Sequence, residues 1–387
     1  MHSYPDIIIL NGTLITFDDA TPADATALAM AGGVITTIGP NTAIRGLAGP
    51  DTHVIDAQGG TVMPGFIDSH VHLFGGSVEP FAMFAPDHHT IWANTAALEL
   101  AGLLHGGETD AGSQIVMGDD GLATGELREP GAYAPILKLT RHAGRDMAGL
   151  VTGADPVPVP TREEREQDKA VIAKGMQHCA AQGITGLHCM DGNRYQLELL
   201  SEMEAEGTLL CRTAVPFHLK SFDPLERLEQ ADAMRRDFCG DMVWCGHVKM
   251  FIDGVIEGRT AHMLAPYPGT DDNYGDPVFE VDHFNEACRR IDAMGMQIAV
   301  HAIGDAGIRH TIDGYEAARN ANGARDSRHR IEHLEVMHPA DMPRLAELDI
   351  VASIQPGHAP FGGIFPAGGV GKYLHDHQIE GAYPWRQ

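Results

Sequence analysis

No two of the six cysteines, Cys179, Cys189, Cys211, Cys239, Cys245 and Cys288, stand at Cys-x-x-Cys spacing. A chain of 387 residues builds a core large enough to do without a disulfide scaffold, so the thiols are expected to be reduced, in the cytoplasm. Long apolar runs are missing too. The N-terminus offers only Ile7–Leu10, with no basic region before it, so neither a bilayer span nor a secretory signal is expected. Positive charge is scarce: 27 Lys and Arg stand against 53 Asp and Glu, a net charge of -26 spread along the chain. That balance favours solubility and argues against nucleic acid or an anionic membrane as partner. Nothing in the sequence speaks to oligomeric state. What the chain does have is histidine, 22 in all.

Three regions are expected. Residues 1–60 read as a small β module of short strands and tight turns. Ile7–Leu10 and Leu14–Phe17 flank Asn11-Gly12, and Ala27–Ala31 and Val34–Ile38 flank Gly32-Gly33, two hairpin signals. Residues 61–387 hold the core, interrupted at about 75–160 by a Gly-, Asp- and Pro-rich insertion with one helix around Asn94–Ala101. From 161 onward helices and strands alternate. Thr161 and Glu164 make a capping box for a helix that stops at Gly183. Strands follow at Ile184–Met190, Leu209–Phe217, Trp244–Ile252, Met296–Ile303, Arg330–Leu334 and Ile350–Ile354, with Asp282 and Gly295 as N-cap and C-cap of one intervening helix. Leu197, Leu200 and Met203 are core positions of another helix. This alternation predicts an α/β fold with a parallel sheet; with Val62–His72 there are seven strands, and an eighth would close a (β/α)8 barrel.

The chemistry collects at strand ends. Val62–His72 is an apolar strand finishing in His70-Val71-His72, which places Asp68, His70 and His72 on one face. Two imidazoles held so close can grip one metal ion. On Trp244–Ile252 the even positions are apolar or small, and the odd positions aim Cys245, His247 and Lys249 at the interior. An ammonium there costs several kcal/mol in lost hydration, of order 5, unless a carboxylate such as Asp253 pairs with it or the amine becomes a metal-binding carbamate. Gln297–Asp305 and Arg330–Glu335 each carry a histidine at the end of an apolar strand, His301 and His333. Any one of these is commonly a hydrogen-bonded core residue. Their convergence is what points to a metal centre.

Pro64–His72, Val248–Gly254, His301–Asp305 and Ile331–His333 together resemble the metal-dependent amidohydrolase superfamily. Asp87–Asn94 adds a likeness to its YtcJ-like branch, similar to the N-substituted formamide deformylases. The resemblance implies a (β/α)8 TIM-type barrel beside a small β-sandwich. It implies one or two divalent metal ions, Zn or else Mn, Fe or Co, held by His70, His72, His301 and His333, with Lys249 as a carboxylated bridging lysine. His89 and Asn94 would line the pocket of a small-molecule substrate. The family's strand-eight aspartate, its usual proton shuttle, has no counterpart before Gln387, nor has the rest of the sandwich, and the sequence is expected to be incomplete there. No general base is therefore named.

The expected activity is hydrolysis of a non-peptide, amide-like C–N bond by metal-activated water. A deaminase of the same fold and a non-catalytic metal-binding barrel are the alternatives. Asp68 is expected to support the ligands, Cys245 to be a buried structural thiol, and His188 and Asp191 to reach either the pocket or the scaffold. Asp271–Asp276 reads as a solvated turn, and Gly371-Lys372 does not make a phosphate loop.

Overall fold

A computed structural model describes residues 4–71, 82–84, 90–109, 113–128, 130–139, 153–359 and 370–384. The chain divides into two compact units, Met1–Phe66 and Ile67–Gln387. No helix among the described residues is long and apolar enough to cross a membrane, and all six cysteines are free.

In the first unit Ile7–Leu10 is central to a four-stranded sheet, pairing antiparallel with Ala27–Ala31 and parallel with His53–Asp56. Ile8 and Leu10 alternate into its core. Gly32 and Gly33 take φ of 58° and 76°, the left-handed pair that a two-residue hairpin demands, and Ala27–Ala31 turns there into Val34–Gly39. The hairpin expected at Asn11-Gly12 does not form. Only Asn11 is left-handed, at φ 57°. Its N–H bonds Asn41 Oδ1 at 2.7 Å, and the Gly12 N–H bonds the Thr26 carbonyl at 2.9 Å. The turn's donors are thus taken by other segments, and Thr13–Leu14 pairs with Thr61–Val62 instead.

The insertion is more ordered than its composition suggests. Gln114–Met117, Ala123–Arg128, Thr90–Ala93 and Ala82–Phe84 form an antiparallel sheet. It buries Ile91 and Leu127 against Leu98 and Ile136 of the helices Thr95–Ala101 and Pro130–Leu137. The inward positions of Ala123–Arg128 are Ala123, Gly125 and Leu127; two are so small that the apolar alternation hardly shows in the sequence.

Beyond residue 153 helices and strands alternate. Thr161 and Glu164 form the capping box of Arg162–Ala181, and Gly183 ends it at φ 78°. Two expected strands are each split in two. Leu209–Phe217 becomes Arg212–Ala214 and Phe217–His218, because Pro216 offers no N–H to a ladder. Trp244–Ile252 becomes Val243–Trp244 and His247–Phe251, parted at Gly246. The breaks yield two sheets. One runs Val243–Trp244, Arg212–Ala214, Ile184–Cys189, Phe66–Val71. The other runs Phe217–His218, His247–Phe251, Gln297–Ala302, Arg330–His333, Val351–Ser353 and is parallel throughout. Asp282 is not an N-cap: Val281–Ala293 has Glu280 there and Met294 as C-cap, while Gly295 follows at φ 74°. Asp282 sits in the first turn, where its charge favours the helix N-terminus.

Val248, Met250, Ile298, Val300 and Ile331 pack into one core with Leu197, Leu200, Met203, Phe284 and Ile312 of the helices. The alternate positions of the same strands, His247, Lys249, His301 and Glu332, are buried as well, away from that apolar face. That second face holds the chemistry.

Candidate metal centre

Three neighbouring parallel strands set the geometry. Their register places Lys249 beside Ala299, Phe251 beside His301, and Ala302 beside His333. His301 and His333 thus emerge side by side, their ring centroids 4.6 Å apart at 66°.

Lys249 is 1% exposed. Burial pushes its ammonium down to about 8, with the charges of Glu332 and Asp191 opposing the fall. Its Nζ lies 4.6 Å from the Phe251 ring centroid. Asp253, one of the partners the sequence left open for it, accepts instead from the backbone N–H groups of Gly304 at 2.8 Å, His262 at 3.0 Å and Ile303 at 3.1 Å. The physical reason is the turn after His301: Gly304 and Gly307 come so close that an added Cβ would lie 2.1 Å from the His262 carbonyl oxygen or 2.5 Å from Asp253 Oδ2. Asp253 is the pin of that turn, and burial raises its carboxyl to about 7 against the pull of those three donors.

His301 Nε2 lies 2.9 Å from the Gly254 carbonyl oxygen. A carbonyl only accepts, so Nε2 carries the proton and the lone pair sits on Nδ1. His333 ends its strand at φ 78° and Leu334 follows at φ 53°. The His333 ring stacks on that of His358, with centroids 5.4 Å apart and planes at 11°. His358 Nδ1 is 3.0 Å from Glu335 Oε1, and the Tyr383 hydroxyl donates to Glu335 Oε2 at 3.2 Å. His333, Glu335 and His358 each offer a ligand atom, all within 4.8 Å of one another.

Nearby lies a polar layer. His188 and His247 stack at 4.0 Å, and His188 Nδ1 is 3.2 Å from Arg330 Nη1. Arg330 pairs with Glu332, which also accepts from Ser353 Oγ at 2.6 Å. His247 is held neutral, far below its ordinary range, first by burial and then by His188. His218, in register with Lys249, bonds the Met190 carbonyl at 2.8 Å and is pushed down to about 3 by burial and by Lys220. Its Nε2 is 3.9 Å from Asp191 Oδ1. His188 and Asp191 therefore join the polar interior around Lys249. Cys245 is a protonated thiol, raised to about 12 by burial.

Of the residues expected as ligands, Lys249, His301 and His333 share one sheet. His70 belongs to the strand Phe66–Val71, its side chain outside the described residues, as are His72 and His89 entirely. Asn94 caps Thr95–Ala101, its side-chain oxygen accepting from the Ala97 N–H at 2.9 Å. Glu335 and His358 were not singled out from the sequence. His358 lies five residues past Val351–Ser353, at the end of a single 3-10 turn, Pro356–His358. A search for histidines a few residues beyond each apolar strand would have found it.

The donors fit a divalent transition metal: imidazole nitrogens, a carboxylate, and a buried lysine whose pKa burial lowers to about 8. The carbonyl partner on His301 Nε2 is the arrangement that orients a ligating histidine.

The amidohydrolase family profile matches residues 53–88 and 77–387. The chain is similar to the protein LONG AFTER FAR-RED 3 of Arabidopsis thaliana, 24% identical over 91% of this chain and 68% of that one. It is similar to the N-substituted formamide deformylase of Arthrobacter pascens, 26% identical over 92% of this chain and 73% of that one. To the putative amidohydrolase YtcJ of Bacillus subtilis it is 24% identical, over 79% of this chain and 64% of that one. An uncharacterized metal-dependent hydrolase of Pyrococcus furiosus shares the fold with a TM-score of 0.70, at 20% identity over 97% of this chain and 81% of that one. A counterpart from Pyrococcus horikoshii gives 0.69, at 19% identity over 97% and 79%.

Proposed function

This chain belongs to the amidohydrolase family, and from that premise we propose that it is a metal-dependent hydrolase of amide-like, non-peptide C–N bonds in a small molecule. In this reading the two sheets are arcs of a (β/α)8-type barrel spanning 61–387, and residues 1–60 contribute to a small β-sandwich. The proposed ligands are His70, His72, Lys249, His301 and His333, for one or two ions of Zn, Mn, Fe or Co. The proposed location is the cytoplasm. His89 and Asn94 are proposed to face the substrate, although Asn94 is already occupied as a helix cap.

One observation carries the reading: the imidazoles of His301 and His333 lie 4.6 Å apart, with buried Lys249 on the adjoining strand. A bound divalent cation supplies Lewis acidity at the scissile carbonyl and acidifies water. The chain's residues prepare for it. The Gly254 carbonyl fixes the tautomer of His301, and Asp253 pins the turn that follows. Burial lowers the Lys249 pKa to about 8 and so raises the share of free amine, the form whose nitrogen adds to carbon dioxide, giving a carbamate and releasing a proton.

The test is turnover of a panel of N-formyl and N-acyl amines by the full chain, with ammonia release followed in parallel to detect deamination. Turnover should vanish with a chelator, return with Zn, Mn or Co, and fall at least a hundredfold in His301→Asn. Undiminished turnover without metal refutes the proposal.

A further inference from the structure

We propose that Glu335 and His358 join His333 in a divalent-cation position of their own, suited to Zn or Co. This extends the hydrolase reading and rests on it for the class of cation, while its ligands are argued independently. Three donors of two kinds converge within 4.8 Å: two imidazoles and one carboxylate. Ligand bonds of about 2.0–2.2 Å put neighbouring donors on a tetrahedral ion roughly 3.4 Å apart. The His358–Glu335 contact, at 3.0 Å, is already near that spacing. Closing the others takes movements of about an ångström, within the rotamer freedom of half-buried His358.

The supports are rigid where they need to be. After His333 the backbone stays bonded to the neighbouring strand, Leu334 N–H to the Ala302 carbonyl at 3.2 Å and Val336 N–H to that of Ile303 at 3.0 Å. Glu335 is therefore held between two backbone hydrogen bonds, its other oxygen fixed by Tyr383. His358 closes a 3-10 turn that begins at Pro356. A cluster held this way loses little freedom when an ion arrives. Two histidines and one carboxylate leave a coordination position open, as catalytic rather than structural zinc sites do, and they favour zinc or cobalt over all-oxygen calcium or magnesium. His333 touches both groups, its ring 4.6 Å from that of His301 and 5.4 Å from that of His358, so with both positions filled it would bridge them as an imidazolate, its ring proton released to solvent.

The test uses the full chain, stripped with a chelator and titrated with Co or Zn. Stoichiometry is read by elemental analysis, affinity by competition with a chromophoric chelator, and coordination by the cobalt absorption bands. His358→Ala and Glu335→Gln should each lose one equivalent or bind it at least about tenfold more weakly, with altered cobalt bands. His301→Asn should keep that equivalent. If both variants match the wild type in stoichiometry, affinity and spectrum, the proposal is overturned while the hydrolase reading stands. If the wild type binds neither metal, both fall. Should buried Glu335→Gln fail to fold, as circular dichroism would show, His358→Ala decides alone.

Discussion

Replacing Lys249 with methionine should cost the protein its activity and leave the metal-free fold as stable as before, or more so. Lys249 is 1% exposed, and its pKa falls from the usual 10.5 to about 8. At about 1.36 kcal/mol per pKa unit, burial penalises the ammonium by about 3 kcal/mol relative to the amine. Because the folded pKa lies below the unfolded one, the folded chain binds fewer protons between pH 8 and 10.5, so stability rises with pH across that window. Below pH 8 the whole penalty is present. Methionine has a similar volume and no charge, and its introduction leaves Glu332 with Arg330 and Ser353. Urea denaturation of chelator-treated protein in carbon-dioxide-free buffer at pH 7 should show Lys249→Met unchanged or more stable by about 1–3 kcal/mol. The rise between pH 8 and 10.5 should disappear. A variant destabilised by more than about 2 kcal/mol would mean that the ammonium is well paired, and the account of this lysine would be wrong.

Three further outcomes are expected. Asp292 accepts from Arg325 at 2.6 Å, Asn322 at 2.9 Å and His329 at 3.1 Å; burial alone would raise its carboxyl, but these bonds hold it far below the usual range. Its contribution is complete above pH about 4 and is lost as pH falls toward the folded value, and Asp292→Ala should cost about 3 kcal/mol, read as a shifted urea midpoint; no shift refutes it. Asn94→Ala should cost about 1 kcal/mol through the lost cap, whereas Asn94→Asp should keep the melting temperature and raise KM if the amide also meets substrate. Zinc at a hundred times its Kd should stabilise the stripped chain by about 2.7 kcal/mol, and His301→Asn with His333→Asn should remove that gain, both read by thermal melts.

The strands with large apolar residues at alternate positions, such as His247–Phe251 and Gln297–Ala302, are legible in the sequence, because burial of one face imposes the period. Ladder breaks are harder to read. Pro216 and Gly246 each fall inside an apolar run, and only the pairing of the flanking residues shows that the chain passes there from one sheet to the other. The insertion's sheet escapes notice because its inward positions include alanine and glycine. At the site, Lys249, His301 and His333 are visible as polar groups on otherwise apolar strands. Asp253 misleads, being four residues from Lys249 and so a natural partner on paper, until the close approach of Gly304 and Gly307 claims its oxygens. His358 carries a sequence signal, a histidine a few residues past an apolar strand, but its meeting with Glu335 depends on the turn after Val351–Ser353, which no local pattern specifies.

Anomalous diffraction at the zinc or cobalt edge, from crystals of the metal-loaded chain, measures the central claim most directly. An ion within about 2.0–2.3 Å of an imidazole nitrogen of both His301 and His333 is the predicted result. Anomalous peaks found only away from the His301–His333 strand ends, or none in an active preparation, would contradict it.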